Sequence, residues 1–213
     1  MTDRAGAPAA GTASPRTLPS GEPRPQYNLD RLLAVAVAVF TERGYEATSF
    51  AHLSHASGLS KSSIFHHIEG KEQLLRLGLQ KALDPLIAST TEDGAVSGRA
   101  VDRLIFLIRR NLEILTEKLT YVTLLLNVRG NTETERWALE QRRSYDKFVA
   151  DVVQEAIADG DLRSDIDART TARLIFGMTN SVREWYRPDG PISGAQLADQ
   201  VSSMLMDGMK ARP

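Results

Sequence analysis

Residues 47–71, ATSFAHLSHASGLSKSSIFHHIEGK, decide how this chain folds. They read as two short helices meeting at Gly58, whose missing side chain permits the positive φ that a tight inter-helix turn requires. Phe50, Leu53 and Ala56 are spaced to bury the first helix, and Leu59, Ile64 and Ile68 to bury the second. That leaves Lys61, Ser62, Ser63, Phe65, His66 and His67 as the contacting set. They are hydrogen-bonding or planar groups on a helix short enough to enter a DNA major groove. Thr48 or Ser49 is placed to cap the first of these helices and Ser60 the second.

Upstream, Val35, Val37 and Val39 alternate with alanines, as in a strand, but Leu29–Glu42 is too long for one. Asn28 supplies an N-cap, Gly44 a stop, and Leu32, Leu33, Ala36, Val39 and Phe40 share one helical face. The stretch is therefore read as helix. Before it, residues 1–26 carry Pro8, Pro15, Pro19, Pro23 and Pro25 with no apolar period, and read as a disordered tail. Arg4, Arg16 and Arg24 in that tail read as solvated, with DNA phosphates as their other conceivable partner.

Downstream, Gly70 precedes a long helix over 71–89, and Gly94 and Gly98 mark a loop. Thr132 with Glu135, and Ser193 with Gln196, have capping-box spacing and predict helices starting near 133 and 194. Asp159-Gly160-Asp161 and Pro188-Asp189-Gly190-Pro191 are breaks. No strand run or βαβ pattern appears, so the expected class is all-α. The expected division is a tail over 1–26, a DNA-binding head over 27–70, and a helical ligand-binding and dimerisation domain over 71–213.

Composition limits the function from another side. The net charge of −1 gives no support to DNA binding by bulk positive charge, so that reading rests on local pattern. The absence of cysteine excludes disulfides and thiolate metal sites. All four histidines (His52, His55, His66 and His67) lie in the head. His52 and His55 have a metal-ligand spacing, but nothing completes a site; no metal and no cofactor is expected, and the imidazoles are read as facing solvent or DNA. No apolar run reaches the roughly 20 residues of a membrane span, and no apolar h-region opens the chain, so a cytoplasmic protein without a membrane partner is expected.

Leu59–Leu75, LSKSSIFHHIEGKEQLL, resembles the recognition helix and following helix of the TetR family, and Phe40–Ser49, FTERGYEATS, that family's first helix end and second helix start. The resemblance covers about residues 30–76. It implies a homodimeric repressor bound to a palindromic double-stranded operator. Thr48 or Ser49 would cap the second helix and bond a phosphate, and Lys61, Ser62, Ser63, Phe65, His66 and His67 would face the groove and its walls. Lys71, opening the fourth helix, would be a further phosphate contact. Three positions depart from the family pattern: Phe65 stands where Tyr is usual, Ile68 where Phe is usual, and Ala51 where many relatives carry Arg.

The same resemblance implies a ligand cavity and a pairing surface on the last two helices, here about 167–187 and 194–210. Leu104, Leu107, Ile108, Leu125, Trp137, Tyr145, Phe176 and Asn180 are the candidate cavity residues, with ordinary core as the alternative for each. Leu197, Val201, Met204 and Leu205 make an apolar stripe that a lone terminal helix would expose, so they are the candidate interface. Gly177–Ser193 is similar to the ends of TetR regulators of fatty-acid, steroid or aromatic-acid breakdown, many of which answer to acyl-CoA thioesters. A small-molecule effector of that class is therefore expected, with Arg136, Arg142, Arg143 and Arg183 as candidate phosphate partners or solvated surface. An enzyme is disfavoured, since no phosphate loop, nucleophile elbow or metal cluster is present. A helical protein-interaction module without specific DNA binding is the alternative.

Overall fold

In a computed structural model that describes residues 29–211, the first helix, α1 (Leu29–Arg43), buries Leu32, Leu33, Ala36, Val37, Val39 and Phe40. The tail over 1–26, its arginines and the Asn28 cap lie outside the described residues. Burying large apolar side chains of this kind is worth roughly 1.5–3 kcal/mol apiece, which outweighs the small helix cost of the valines. Gly44, at φ 85°, ends the helix and donates its N–H to the Phe40 carbonyl.

Next come α2 (Phe50–Ser57), α3 (Lys61–Phe65) and α4 (Lys71–Ala88), the last followed by a 3-10 turn at Ser89–Thr91. Gly58 takes φ 70° and closes α2 through an N–H bond to the Ser54 carbonyl. On α2, Leu53 is buried and Phe50 packs on the core, but the next inward position is Ser57, four residues after Leu53, and Ala56, expected inside, is exposed. Pro85 sits in the last turn of α4 and leaves the Lys81 carbonyl without its helical donor.

The body comprises α5 (Asp93–Val96), α6 (Ala100–Glu117), α7 (Leu119–Asn127), α8 (Glu133–Ala158), α9 (Ala168–Ser181) and α10 (Gly194–Met209). Gly94, expected in a loop, lies instead in the single turn of α5, with the Phe106 ring packed where a Cβ would stand. A 3-10 turn, Val182–Glu184, follows α9, which is shorter than the run to about 187 read from sequence. Ser193 and Gln196 form a reciprocal capping box at α10. At α8 the Thr132 side chain accepts from the Glu135 N–H, but the buried Glu135 carboxylate turns to the Gly130 and Asn131 N–H groups at 2.9 and 2.7 Å. Among the described residues there is no strand, and a lone antiparallel bridge joins Leu162 to Lys210. No helix among them is long and apolar enough to cross a membrane.

α4 links head and body, packing on α1 on one side and on α6, α7 and α8 on the other, and α1 itself packs on α7. A Cβ at Gly78 would lie 2.7 Å from Val37 Cγ2 and 3.1 Å from Leu124 Cδ2, so only glycine lets α1, α4 and α7 meet this closely.

Candidate DNA-binding head and effector cavity

The exposed face of α3 carries Lys61, Ser62 and Phe65, with His66 just beyond its end, while Ser63 and His67 are half-buried. Ser60 caps the helix: its Oγ accepts from the Ser63 N–H at 3.1 Å and lies within hydrogen-bonding distance of the Ser62 and Ser63 hydroxyls. Phe65 is 44% exposed and stacks on Phe50 at 4.7 Å between ring centroids, with Lys61 Nζ 5.9 Å from each ring. The face offers one cation, hydroxyls, an imidazole and an apolar ring, a set able to meet phosphates, base edges and thymine methyls.

Three head residues have partners that the sequence reading did not foresee. Thr48 is buried, and its hydroxyl donates to the Gly44 carbonyl at 2.7 Å, so Ser49 alone caps α2. His52 is the far half of that cap, its Nδ1 accepting from the Ser49 N–H at 3.3 Å while its own N–H reaches Ser49 Oγ. The legible signal was position: His52 stands where a capping box carries Glu or Gln. Lys71 Nζ donates to the Tyr45 and Thr48 carbonyls at 2.7 Å each and sits 4.3 Å from the Tyr45 ring centre. Burial lowers its ammonium from the usual value, with Glu46 opposing. These bonds tie the α1–α2 turn to the start of α4.

In the body, a cavity of about 60 Å³ lies between α4, α6, α7, α8 and α9. Leu125, Tyr145, Phe176 and Asn180 line it, together with Ala82 and Leu86 of α4, with Arg142, one of the candidate phosphate partners, and with Asn111 and Asp146, which the sequence did not single out. Leu104, Leu107 and Ile108 are buried elsewhere in the core and do not line it. Trp137 does not line it either; its ring carries the Arg76 guanidinium, 3.4 Å from the ring centre. That contact and the Thr134 hydroxyl donating to Glu72 at 2.8 Å fasten α8 to the first turns of α4.

The cavity's polar lining is unevenly committed. Tyr145 Oη and Asn111 Oδ1 are buried without a hydrogen-bond partner. Burial pushes the Tyr145 phenol up to about 12, with the Ser89 and Asn111 side chains beside it pulling the other way, so the hydroxyl keeps its proton. Arg142 donates to the Leu125 carbonyl at 3.3 Å, and burial lowers it from its ordinary value despite Asp146. Asp146 is raised, chiefly by burial, with Arg142 and Arg173 opposing.

Of the four residues expected at a pairing surface, Leu197, Val201 and Leu205 are buried within the chain, on the face by which α10 packs on α6, and only Met204 points out, 60% exposed. The apolar side chains left bare on the last helices are Leu174 and Met178 of α9 and Met204, with Trp185 in the following turn.

Residues 32–77 match the family described as bacterial regulatory proteins, tetR family. Residues 97–209 match the tetracyclin repressor-like C-terminal domain. The chain belongs to the TetR family. It is a DNA-binding transcriptional regulator, all-α, with a helix-turn-helix head and a helical C-terminal domain. Among TetR-family structures, it is 52% identical to SCO3833 from Streptomyces coelicolor, covering 84% of this chain and 90% of that one with a TM-score of 0.79. It is 26% identical to AibR, solved in complex with isovaleryl coenzyme A and operator DNA, over 83% of this chain and 97% of that one with a TM-score of 0.70. The HTH-type transcriptional repressor KstR2 of Mycolicibacterium smegmatis is 25% identical over 194 residues, 90% of this chain and 95% of the relative. These TetR-family relatives are transcriptional regulators.

Proposed function

We propose that this TetR-family protein is a cytoplasmic homodimeric repressor, released from a palindromic operator by an acyl-CoA thioester that enters the body cavity. The observation carrying this reading is that α4 does two things at once. Its first residue, Lys71, holds the helix-turn-helix in place, and its Ala82 and Leu86 are walls of the cavity. Small-molecule sites ordinarily hold about 300–1,000 Å³. A cavity of about 60 Å³ therefore accepts an acyl group only if its walls part. Displacing Ala82 and Leu86 moves α4 and with it the head, so effector and operator favour different arrangements. AibR, with isovaleryl coenzyme A and operator DNA together in one structure, supports both partners. The division into a head over 27–70 and a body over 71–213 is retained, with α4 as the shared lever. Pairing through Leu174, Met178 and Met204 sets the two heads at groove spacing, roughly 34–36 Å.

Fluorescence anisotropy against the upstream intergenic DNA, at stated salt, with and without a panel of acyl-CoA thioesters, tests the reading. Competitor-resistant binding that one thioester relieves is the expected result. Binding that no thioester disturbs would discard the effector class and keep the DNA function. Lys61→Ala with His66→Ala should abolish specific binding while leaving the fold intact; Lys71 is unsuitable for this purpose, since its loss would loosen the α1–α2 turn.

A further inference from the structure

Beside the apolar cavity, and sharing Asp146 with it, a groove of about 460 Å³ runs along the surface between α8 and α9. Small side chains make its floor: Ala150 of α8 and Ala168 and Ala172 of α9 are all buried. Its rim is cationic, with Arg143 and Lys147 on α8 and Arg169 and Arg173 on α9. Lys147 is committed to Asp151 at 2.6 Å. Arg143, Arg169 and Arg173 hold no hydrogen bond or close ion pair among the described residues, and all three are exposed. Asp167 lies in electrostatic reach of Arg169 and Arg173, and Asp146 of Arg173, but none of the three planar guanidinium forks is held in a bidentate pair.

The other cations near the cavity are spent. Arg136 donates to the Gly130 and Asn131 carbonyls, Arg142 to the Leu125 carbonyl, and Arg183 to Asn127 Oδ1 and the Glu184 carboxylate. On the other side of Asp146, the cavity holds two buried polar atoms with no partner, Tyr145 Oη and Asn111 Oδ1. A neutral donor suits a carbonyl oxygen better than a carboxylate here, since the guanidinium in the lining, Arg142, is turned to the Leu125 carbonyl and Asp146 already brings one negative charge.

We infer that the two concavities are one bipartite site: the α8–α9 groove seats the phosphate-bearing end of the effector on Arg143, Arg169 and Arg173, and Tyr145 receives the carbonyl of its acyl end. The inference rests on the acyl-CoA reading above and deepens it. Asp146, where the two parts join, offers carboxylate oxygens to amide N–H groups of the connecting arm, and Asn111 Oδ1 accepts from a donor near the carbonyl. A phosphate fits three guanidinium forks better than a carboxylate does, because its oxygens satisfy more than one fork at a time.

Isothermal titration with free coenzyme A and with a series of its acyl thioesters reads the groove. The series is paired with acyl N-acetylcysteamine thioesters, which keep the carbonyl and lack the phosphates. The variant is Arg143→Gln, Arg169→Gln, Arg173→Gln in the full chain, its fold checked by circular dichroism and by unchanged operator affinity. The triple variant should bind coenzyme A and its thioesters at least about 30-fold more weakly than the wild type and the N-acetylcysteamine thioesters equally well. A control variant, Arg129→Gln with Arg136→Gln, should keep coenzyme A affinity. If the wild type binds thioesters and the triple variant binds them as tightly, the groove assignment fails and the effector reading survives. Equal losses in the control variant, or loss of the dimer in the triple variant, would likewise overturn the groove. A wild type that binds no thioester of either kind overturns the effector reading and this inference together.

Discussion

Tyr145 carries the clearest residue-scale consequence. Its hydroxyl is buried with no partner, an arrangement that ordinarily costs about 1–3 kcal/mol, so Tyr145→Phe should match or exceed the wild type in stability at pH 7. The pH dependence has a definite sign. The folded phenol holds its proton until about 12 while the unfolded one releases it near the ordinary 10.0, so its contribution is full below pH 10 and declines as pH rises toward 12. Between pH 9 and 11 the Phe variant should therefore gain about 1 kcal/mol on the wild type, measured by urea unfolding at both pH values. An unchanged difference would mean that the phenol is solvated in the folded protein. Several residue roles escaped sequence reasoning for one physical reason: they depend on which neighbour arrives in three dimensions. Lys71 reads as a free cation until the Tyr45 and Thr48 carbonyls are seen within 2.7 Å of it. Thr48 and Ser49 are equivalent caps on paper, and only the buried Thr48 hydroxyl, committed to Gly44, separates them.

At the scale of elements the sequence was most legible where local chemistry is self-sufficient. The Gly58 turn, the Ser60 and Ser193 caps and the Gly44 stop each involve groups within a few residues of one another. Element ends set by tertiary contact were less so, as with the one-turn α5 or the early end of α9. Head and body meet where α1, α4 and α7 pack together, and Gly78 tests the proposed lever there. Alanine in place of glycine within a helix ordinarily stabilises by about 1 kcal/mol. Here the added methyl would stand 2.7 Å from Val37 Cγ2, and Val37 is β-branched with little rotamer freedom. Overpacking of this kind costs roughly 1–3 kcal/mol. Gly78→Ala should therefore lower the urea midpoint and weaken operator binding, although Gly78 touches neither DNA nor effector. A raised midpoint would show that α1 and α4 can separate freely, and would remove α4 as the lever.

For the whole molecule, the question is which surface brings two heads onto one operator. An apolar stripe on the last helix was readable, but a stripe does not say which side faces its own chain, and most of it faces inward. Leu197, Val201 and Leu205 fill the contact between α10 and α6, with Arg109 and Asp199 paired across its exposed edge. Leu174, Met178 and Met204 are left outside, 67%, 38% and 60% exposed. Large apolar groups bared on the last two long helices of a protein that belongs to a two-headed family have a natural cover in the same helices of a second copy. Leu174→Glu with Met204→Glu should give a folded monomer by light scattering, with a melting profile that no longer depends on concentration. Its affinity for a full palindrome should fall by about 100-fold or more, since the second head loses the effective concentration that pairing supplies, while affinity for a single half-site changes little. Leu197→Ala should behave oppositely, losing about 2–5 kcal/mol of stability through a cavity under α10 before any change in association. A double glutamate variant that remains dimeric would place the two-fold axis elsewhere on the body, and the head separation that the effector controls would have to be rebuilt from that surface.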